Sequence, residues 1–296
     1  MKILLTGANG QLGKELQVQA QGSAFEPIAT DLPELDITDE TKTAEKIEQL
    51  KPDLVVNAAA YTHVDGAETE PDMAFRVNRD GPANLAGICS NSGIPLIHIS
   101  TDYVFDGKKD IPYVESDPLS PIGVYGHSKA AGEEAVRNLL STHIILRTSW
   151  LYGAYGHNFV KTMLRLAKEK KSIRVVDDQF GSPTSACDLA RAVLKIASDI
   201  TKNETVSWGI YHYCGQGIVS WYQFAQKIFD FADQYHLFQR PHIVAIPTHQ
   251  FPTAAERPQY SALDCGLISR QFGIHPKPWP ESLAAVIDRI INEKEY

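Results

Sequence analysis

Tyr125 and Lys129 stand four positions apart in the stretch Tyr125-Gly-His-Ser-Lys129. On a helix that spacing puts both side chains on one face, within reach of a common ligand. A free phenol, with a pKa of about 10, exchanges protons poorly at neutral pH. A neighbouring ammonium favours the phenolate and draws that pKa down. A phenol tuned in this way gives or takes a proton near the working pH. Taken alone the spacing is weak, and a helix with a solvated lysine and a half-buried tyrosine is the plainer reading. The surrounding elements decide between the two.

Those elements belong to a chain of 296 residues, enough for one large or two modest domains at about 150 residues each. Hydrophobic residues make up 43% and charged residues 22%, an ordinary globular composition with ample core. The net charge of -8 argues against a nucleic-acid surface, which shows a basic stripe. An anionic small ligand stays open, because the field inside a pocket can oppose the average. The four cysteines, Cys89, Cys187, Cys214 and Cys265, form no CxxC pair, which argues against a zinc knuckle. Reduced thiols and a cytoplasmic location are the default. No apolar run is long enough to span a bilayer, so no membrane contact is expected. The apolar run at the N-terminus ends after three residues in Thr6-Gly7, too short for a signal peptide.

Lys2 to Thr6 is a short apolar run that fits a strand buried on both faces of a parallel sheet. Gly7-Ala-Asn-Gly10-Gln11-Leu12-Gly13 follows, and then a helical pattern. A strand, a glycine turn and a helix in that order let the backbone approach a pyrophosphate at the helix N-terminus. The spacing is GxxGxxG, not the GxGxxG of the usual dinucleotide fingerprint. A second strand, Glu26 to Thr30, ends in Asp31. An acid there suits ribose hydroxyls and would repel a 2′-phosphate, which tilts the cofactor toward NADH over NADPH. An ordinary loop carboxylate is the alternative. Asp36-Ile37-Thr38-Asp39 reads as a helix start, with one residue available to the adenine.

The third strand, Asp53 to Asn57, runs into Ala58-Ala59-Ala60, small residues at a strand end where a flat cofactor can lie. Residues 71 to 91 read as one long helix carrying Asn78, a surface or capping residue with bracing of the site as the alternative. The fourth strand, Pro95 to Ser100, delivers Thr101 to the same sheet edge, where a hydroxyl can bond a substrate oxygen. Tyr103 and Phe105 read as packing residues. After a proline-rich loop comes the helix of Tyr125, and then a fifth strand, His143 to Thr148. This alternation argues for an α/β, Rossmann-type, doubly wound parallel sheet with helices on both faces.

Beyond Trp150 the pattern loosens into a smaller mixed α/β unit covering the carboxyl edge of the sheet. Its expected parts include a basic helix (158–171), a strand (172–177), a helix (185–200), a polar connection (203–208), a strand (210–214) and a last helix (281–293). The stripe Trp221, Phe224, Ile228 and Phe231 has helical spacing and reads as core. No HExxH or paired metal spacing occurs, and no Gly-x-Ser-x-Gly elbow.

With TGANGQLG, NAAAYT, Thr101 and YGHSK in that order, the chain resembles the extended short-chain dehydrogenase/reductase family. More closely it is similar to the dTDP-4-dehydrorhamnose reductase family, through STDYVFDG (100–107), LSPIGVYGHSK (119–129), RTSWLYG (147–153), DDQFGSPTS (177–185) and RPQYSALD (257–264). The resemblance implies reduction of the C4 keto group of dTDP-4-dehydro-L-rhamnose by NADPH or NADH, a step toward cell-surface polysaccharide. It implies Tyr125 as catalytic acid, Lys129 on the nicotinamide ribose and Thr101 on the reacting oxygen. Gly7, Gly10, Gln11, Leu12, Gly13, Asp31, Asp36, Ile37, Ala58, Ala59 and Ala60 would line the cofactor. Asp102 and Trp150 would contact the substrate, and Arg257 its diphosphate. The implied partner is a nucleotide-diphosphate sugar.

Residues 1–148 with about 172–200 would then bind the dinucleotide, and 149–171 with about 201–296 the substrate. The resembled family includes metal-bridged homodimers. No ligand set can be placed in this sequence, and no metal is expected. Two other readings remain: a non-catalytic NADP(H)-binding regulatory subunit like that of methionine adenosyltransferase, or a reductase or epimerase of another nucleotide sugar.

Overall fold

A computed structural model describes residues 1–202 and 206–293 of the chain. The first half alternates as expected: β1 (Lys2–Thr6), α1 (Gln11–Gln19), β2 (Glu26–Thr30), α2 (Glu40–Leu50), β3 (Leu54–Asn57), α3 (Val64–Ala67), α4 (Pro71–Phe75), α5 (Gly81–Ser92), β4 (Leu96–Thr101), α6 (Val124–Leu139) and β5 (His143–Thr148). The second half adds β6 (Leu151–Tyr152), α7 (Phe159–Glu169), β7 (Ser172–Val176), β8 (Phe180–Gly181), β9 (Thr184–Ser185), α8 (Ala186–Thr201) and β10 (Gly209–His212). It ends with β11 (Val219–Ser220), α9 (Trp221–Ala232), β12 (His242–Ile246), α10 (Gly266–Phe272) and α11 (Trp279–Asn292).

Six strands form one parallel sheet in the order β10-β5-β4-β3-β1-β2. Successive side chains of a strand point to opposite faces, so each strand feeds two cores. Ile3 and Leu5 pack with Leu12 and Leu16 of α1 and Leu189 and Val193 of α8. Leu4 and Val55 pack with Ile47 of α2, Leu85 of α5 and Val136 of α6. The expected doubly wound α/β fold is therefore present. Strand order reverses between β1 and β3, and ligands of such sheets bind at that reversal, beyond the carboxyl ends. A further core joins α7, α9 and α11 through Val160, Phe224, Ile228, Phe229, Leu283 and Ile287.

Two strands fall on other sides of the expected division. β7 lies outside the main sheet and pairs in parallel with β12. β10 pairs with β5 as the sixth strand of the main sheet. Ile268 and Phe272 of α10 also join the α1–α8 core. An apolar run shows that a strand is buried but not which strand it pairs with. The helix expected over residues 71–91 is α4 and α5 joined by a π-helical turn, Arg76–Asp80. Such turns insert a residue and re-aim the side chains beside it. The expected connection at 203–208 begins outside the described residues.

α6 sits unusually close to its neighbours. A Cβ on Gly132 would lie 2.1 Å from the Asn78 carbonyl oxygen. A buried ion pair fixes it from the other side. Arg147 of β5 and Glu133 of α6 are each 1% exposed and meet at 2.6 Å. Arg147 Nε adds a second bond to Glu133 at 2.9 Å, and Ser100 of β4 donates to the same carboxylate at 2.5 Å. Gly132→Ala should therefore force α6 off the 76–80 turn. The expected cost is about 1–3 kcal/mol in urea unfolding, the range for overpacking; an unchanged unfolding midpoint would contradict this seating.

Candidate active site

A cleft of about 870 Å³ opens along the carboxyl edge of β1, β3 and β4. At one end is the glycine turn. Gly7 has φ +70°, and a Cβ there would lie 2.5 Å from the Ala59 amide nitrogen, so only glycine fits. α1 starts behind Gly10 with no side-chain cap, so its first amides keep no side-chain partner. Asp31 closes the turn: its carboxylate accepts from the Asn9 and Leu32 amides, each at 2.8 Å. Gly7, Gly10, Gln11, Leu12, Gly13, Asp31, Asp36, Ile37, Ala58, Ala59 and Ala60 all line this cleft. A glycine cradle, a bare helix start, small strand-end residues and an acid at the far edge fit a dinucleotide.

A chain of buried polar groups holds the strand ends in register beneath the cleft. Thr6 Oγ1 donates to Asn57 Oδ1 at 2.7 Å, and Asn57 Nδ2 lies 3.0 Å from His98 Nδ1. Asn78, fully buried, proves to be a brace. Its amide bonds the Tyr61 backbone at both N–H and C=O, and also the Ser128 hydroxyl at 3.0 Å. That contact joins the loop after β3 to the residue preceding Lys129.

Thr101, Asp102, Tyr125 and Lys129 meet at the other end of the cleft. Lys129 is 2% exposed, and its Nζ donates to the Ile99 carbonyl at 2.7 Å. Burial pulls its pKa down to about 8, while the Glu133 charge raises it. Burial pushes the Tyr125 phenol up to about 12, against a lowering hydrogen bond from Thr101, with the Asp102 charge adding to the rise. The expected depression of the phenol by lysine is thus not met in this chain on its own. Desolvation dominates, and the ammonium is turned to a carbonyl. Asp102 is also buried, which pushes its pKa up to about 6 against the Ser261 and Thr101 hydroxyls. Its Oδ2, like Thr148 Oγ1, has no hydrogen-bond partner among the described residues, and both residues line the cleft.

Tyr103 packs edge-on to Tyr125 with centroids 5.5 Å apart, as a packing residue should. Trp150 lines the cleft with φ +46° and stacks on Trp221 at 3.5 Å. Trp221 is therefore not simply core: Phe224 and Ile228 are buried, but Trp221 faces the cleft with Phe159 and His157. Helical spacing gave the stripe but not where its first residue ends up. Arg257 does not line the cleft. It pairs with Asp65 of α3 at 2.8 Å, a partner 192 positions away that no local pattern indicates.

The arrangement can hold a dinucleotide and present a phenol, a hydroxyl and an ammonium to one carbonyl. A family model described as the RmlD substrate binding domain matches residues 1–292. A dTDP-4-dehydrorhamnose reductase of Aggregatibacter actinomycetemcomitans is 46% identical over 284 residues, 95% of this chain and 97% of that protein. The crystal structure of a dTDP-4-dehydrorhamnose reductase from Clostridium acetobutylicum superposes with a TM-score of 0.92 at 42% identity, covering 98% of this chain and 100% of the other. That of Bacillus anthracis, in complex with NADP, gives 0.90 at 39% identity over 97% and 99%. With likeness of this order along nearly its whole length, the chain belongs to the dTDP-4-dehydrorhamnose reductase family.

Proposed function

We propose that the chain reduces the C4 keto group of dTDP-4-dehydro-L-rhamnose to the hydroxyl of dTDP-L-rhamnose, with NADPH or NADH as reductant. The observation that carries this reading is the meeting of Thr101, Tyr125 and Lys129 at one end of a cleft whose other end is the glycine turn. The family's reductases support the choice of substrate. The reduced nicotinamide, when bound, supplies the hydride. Tyr125 gives its proton to the developing alkoxide. A phenol held at about 12 keeps its proton at neutral pH, as an acid must, and an alkoxide is a stronger base still. Thr101 donates to the same oxygen and stabilises the charge as it forms. Lys129 holds a ribose hydroxyl. Asp102, with a free oxygen, accepts from a sugar hydroxyl, and Trp150 with Trp221 walls the sugar end. Residues of the six-stranded sheet hold the cofactor, and the α7–α9–α11 layer covers the substrate.

We place the reaction in the cytoplasm. The four free cysteines support this, and no helix among the described residues is long and apolar enough to cross a membrane.

Mixing the protein with the keto sugar nucleotide and NADH or NADPH should consume the reduced-nicotinamide absorbance. Tyr125→Phe should cut turnover by roughly 10²–10⁴-fold, the usual worth of one acid, while cofactor still binds. Near wild-type turnover in that variant would sink the assignment. Cofactor binding without any turnover in the wild type would shift the reading to another sugar nucleotide or to a regulatory subunit.

Asp31→Ala should raise the NADPH-to-NADH preference by on the order of tenfold, equal to about 1.4 kcal/mol of removed repulsion. The ratio is the readout, because losing the two amide contacts weakens both cofactors together; an unchanged ratio would place Asp31 away from the 2′ position.

Cofactor affinity should also fall as pH rises through about 8, where free Lys129 loses its charge. Titration of Lys129→Met should show a weaker and flatter profile. A limb that persists in that variant belongs to another group.

A further inference from the structure

We propose that Cys214 and Cys265 form a modification site outside the nucleotide cleft, closing to a reversible disulfide by exchange with a low-molecular-weight disulfide. Both are free thiols, and their sulfurs lie 3.6 Å apart although the residues are 51 positions apart in the chain. Each sits on backbone that is held independently. Cys214 follows β10, where the Tyr213 amide donates to the Arg147 carbonyl at 2.9 Å. Cys265 precedes α10, and its neighbour Asp264 donates to the Tyr113 carbonyl at 2.8 Å. The Cys214 amide donates to Cys265 Sγ at 3.3 Å, but the facing Cys214 sulfur and burial hold the Cys265 thiol well above its ordinary value, and the same sulfur–sulfur contact lowers Cys214. The two sulfurs thus face each other from anchored segments, and they must come closer, to about 2.05 Å, for the bond to form.

Reagent has a route in. Both cysteines line a second cleft of about 550 Å³, with Ser182, Gly215, Gln216 and His275. It shares no lining residue with the nucleotide cleft. Cys214 is 2% exposed while Cys265 is partly exposed, so Cys265 meets the reagent first. Cys265 gives up its proton as its sulfur attacks one reagent sulfur, breaking the reagent S–S bond and releasing one small thiol that takes the proton. The Cys214 thiolate then attacks the Cys265 sulfur and releases the second small thiol. Two protein thiols give up two electrons and two protons, and the reagent disulfide takes them to become two thiols. The bond would tie the edge of the main sheet to the segment carrying Ser261, whose hydroxyl bears on Asp102.

The test treats the full chain with oxidised glutathione, quenches with acid, unfolds the chain so that buried Cys89 can react, blocks the remaining thiols and measures intact mass. The expected product has lost two hydrogens, offers two blockable thiols where the reduced chain has four, and yields a peptide joining residues 214 and 265 that dithiothreitol separates. Cys214→Ser should instead stop at one glutathione adduct on Cys265. Cys265→Ser should give neither adduct nor cross-link at Cys214, and it keeps the test informative if the buried substitution fails to fold. Four blockable thiols after treatment, an adduct confined to Cys187, or a stable wild-type adduct on Cys265 would overturn the proposal.

Discussion

The buried pair of Glu133 and Arg147 is the constraint on which the reacting end of the cleft depends. Two charges that are each 1% exposed have given up their water, at a cost of several kcal/mol per ion. Close geometry and added hydrogen bonds must offset that cost. Here the guanidinium meets the carboxylate through Nε and a terminal nitrogen, and Ser100 supplies a further bond. His212 lies 3.3 Å from the remaining terminal nitrogen. Removing one partner would strand the other charge, which typically costs about 3–5 kcal/mol. The pair ties α6 to β4 and β5 at one point. Lys129 lies one helical turn before Glu133, and Thr101 directly follows Ser100. The place where phenol, ammonium and hydroxyl converge is set by a buried pair, Glu133 and Arg147, that does not itself line the cleft.

Burial does more than position these groups. It sets their protonation in one consistent direction, favouring the uncharged form of each. The phenol stays protonated, Asp102 holds its proton up to about pH 6, and Lys129 gives up its proton more readily. A desolvated pocket of this kind strengthens any hydrogen bond to a developing charge. The Trp150–Trp221 stack walls one side, with Trp150 at φ +46°.

What could be read in the sequence was local. The glycine turn, the small run Ala58–Ala60 and the Tyr125–Lys129 spacing each lie within one element or one turn, where type and spacing determine geometry. Order along the chain then brought them to one sheet edge, because parallel strands all deliver their carboxyl ends to the same side. What could not be read was contact across the chain. Arg147 reads as one residue of an apolar strand, yet through Glu133 it anchors the helix carrying Tyr125. Arg257 matches a family block, but its pairing with Asp65 of α3 is a contact that no local pattern indicates. The strands β7 and β10 pair in different sheets, β10 with β5 and β7 with β12, which neither short segment declares by itself. Asn78 gave a helix no reason to bulge until its partner Tyr61 was in view. The phenol's pKa depended on desolvation and on where Nζ points, and spacing reports neither.

The central claim is that hydride passes from a bound nicotinamide to C4 of the keto sugar while Tyr125 protonates the oxygen. The most direct measurement uses reduced cofactor deuterated at the transferable position and follows the sugar product by NMR. Deuterium at C4 of dTDP-L-rhamnose, placed on one face only, is the result this structure predicts. Product lacking deuterium at C4, or label washed into solvent, would contradict it.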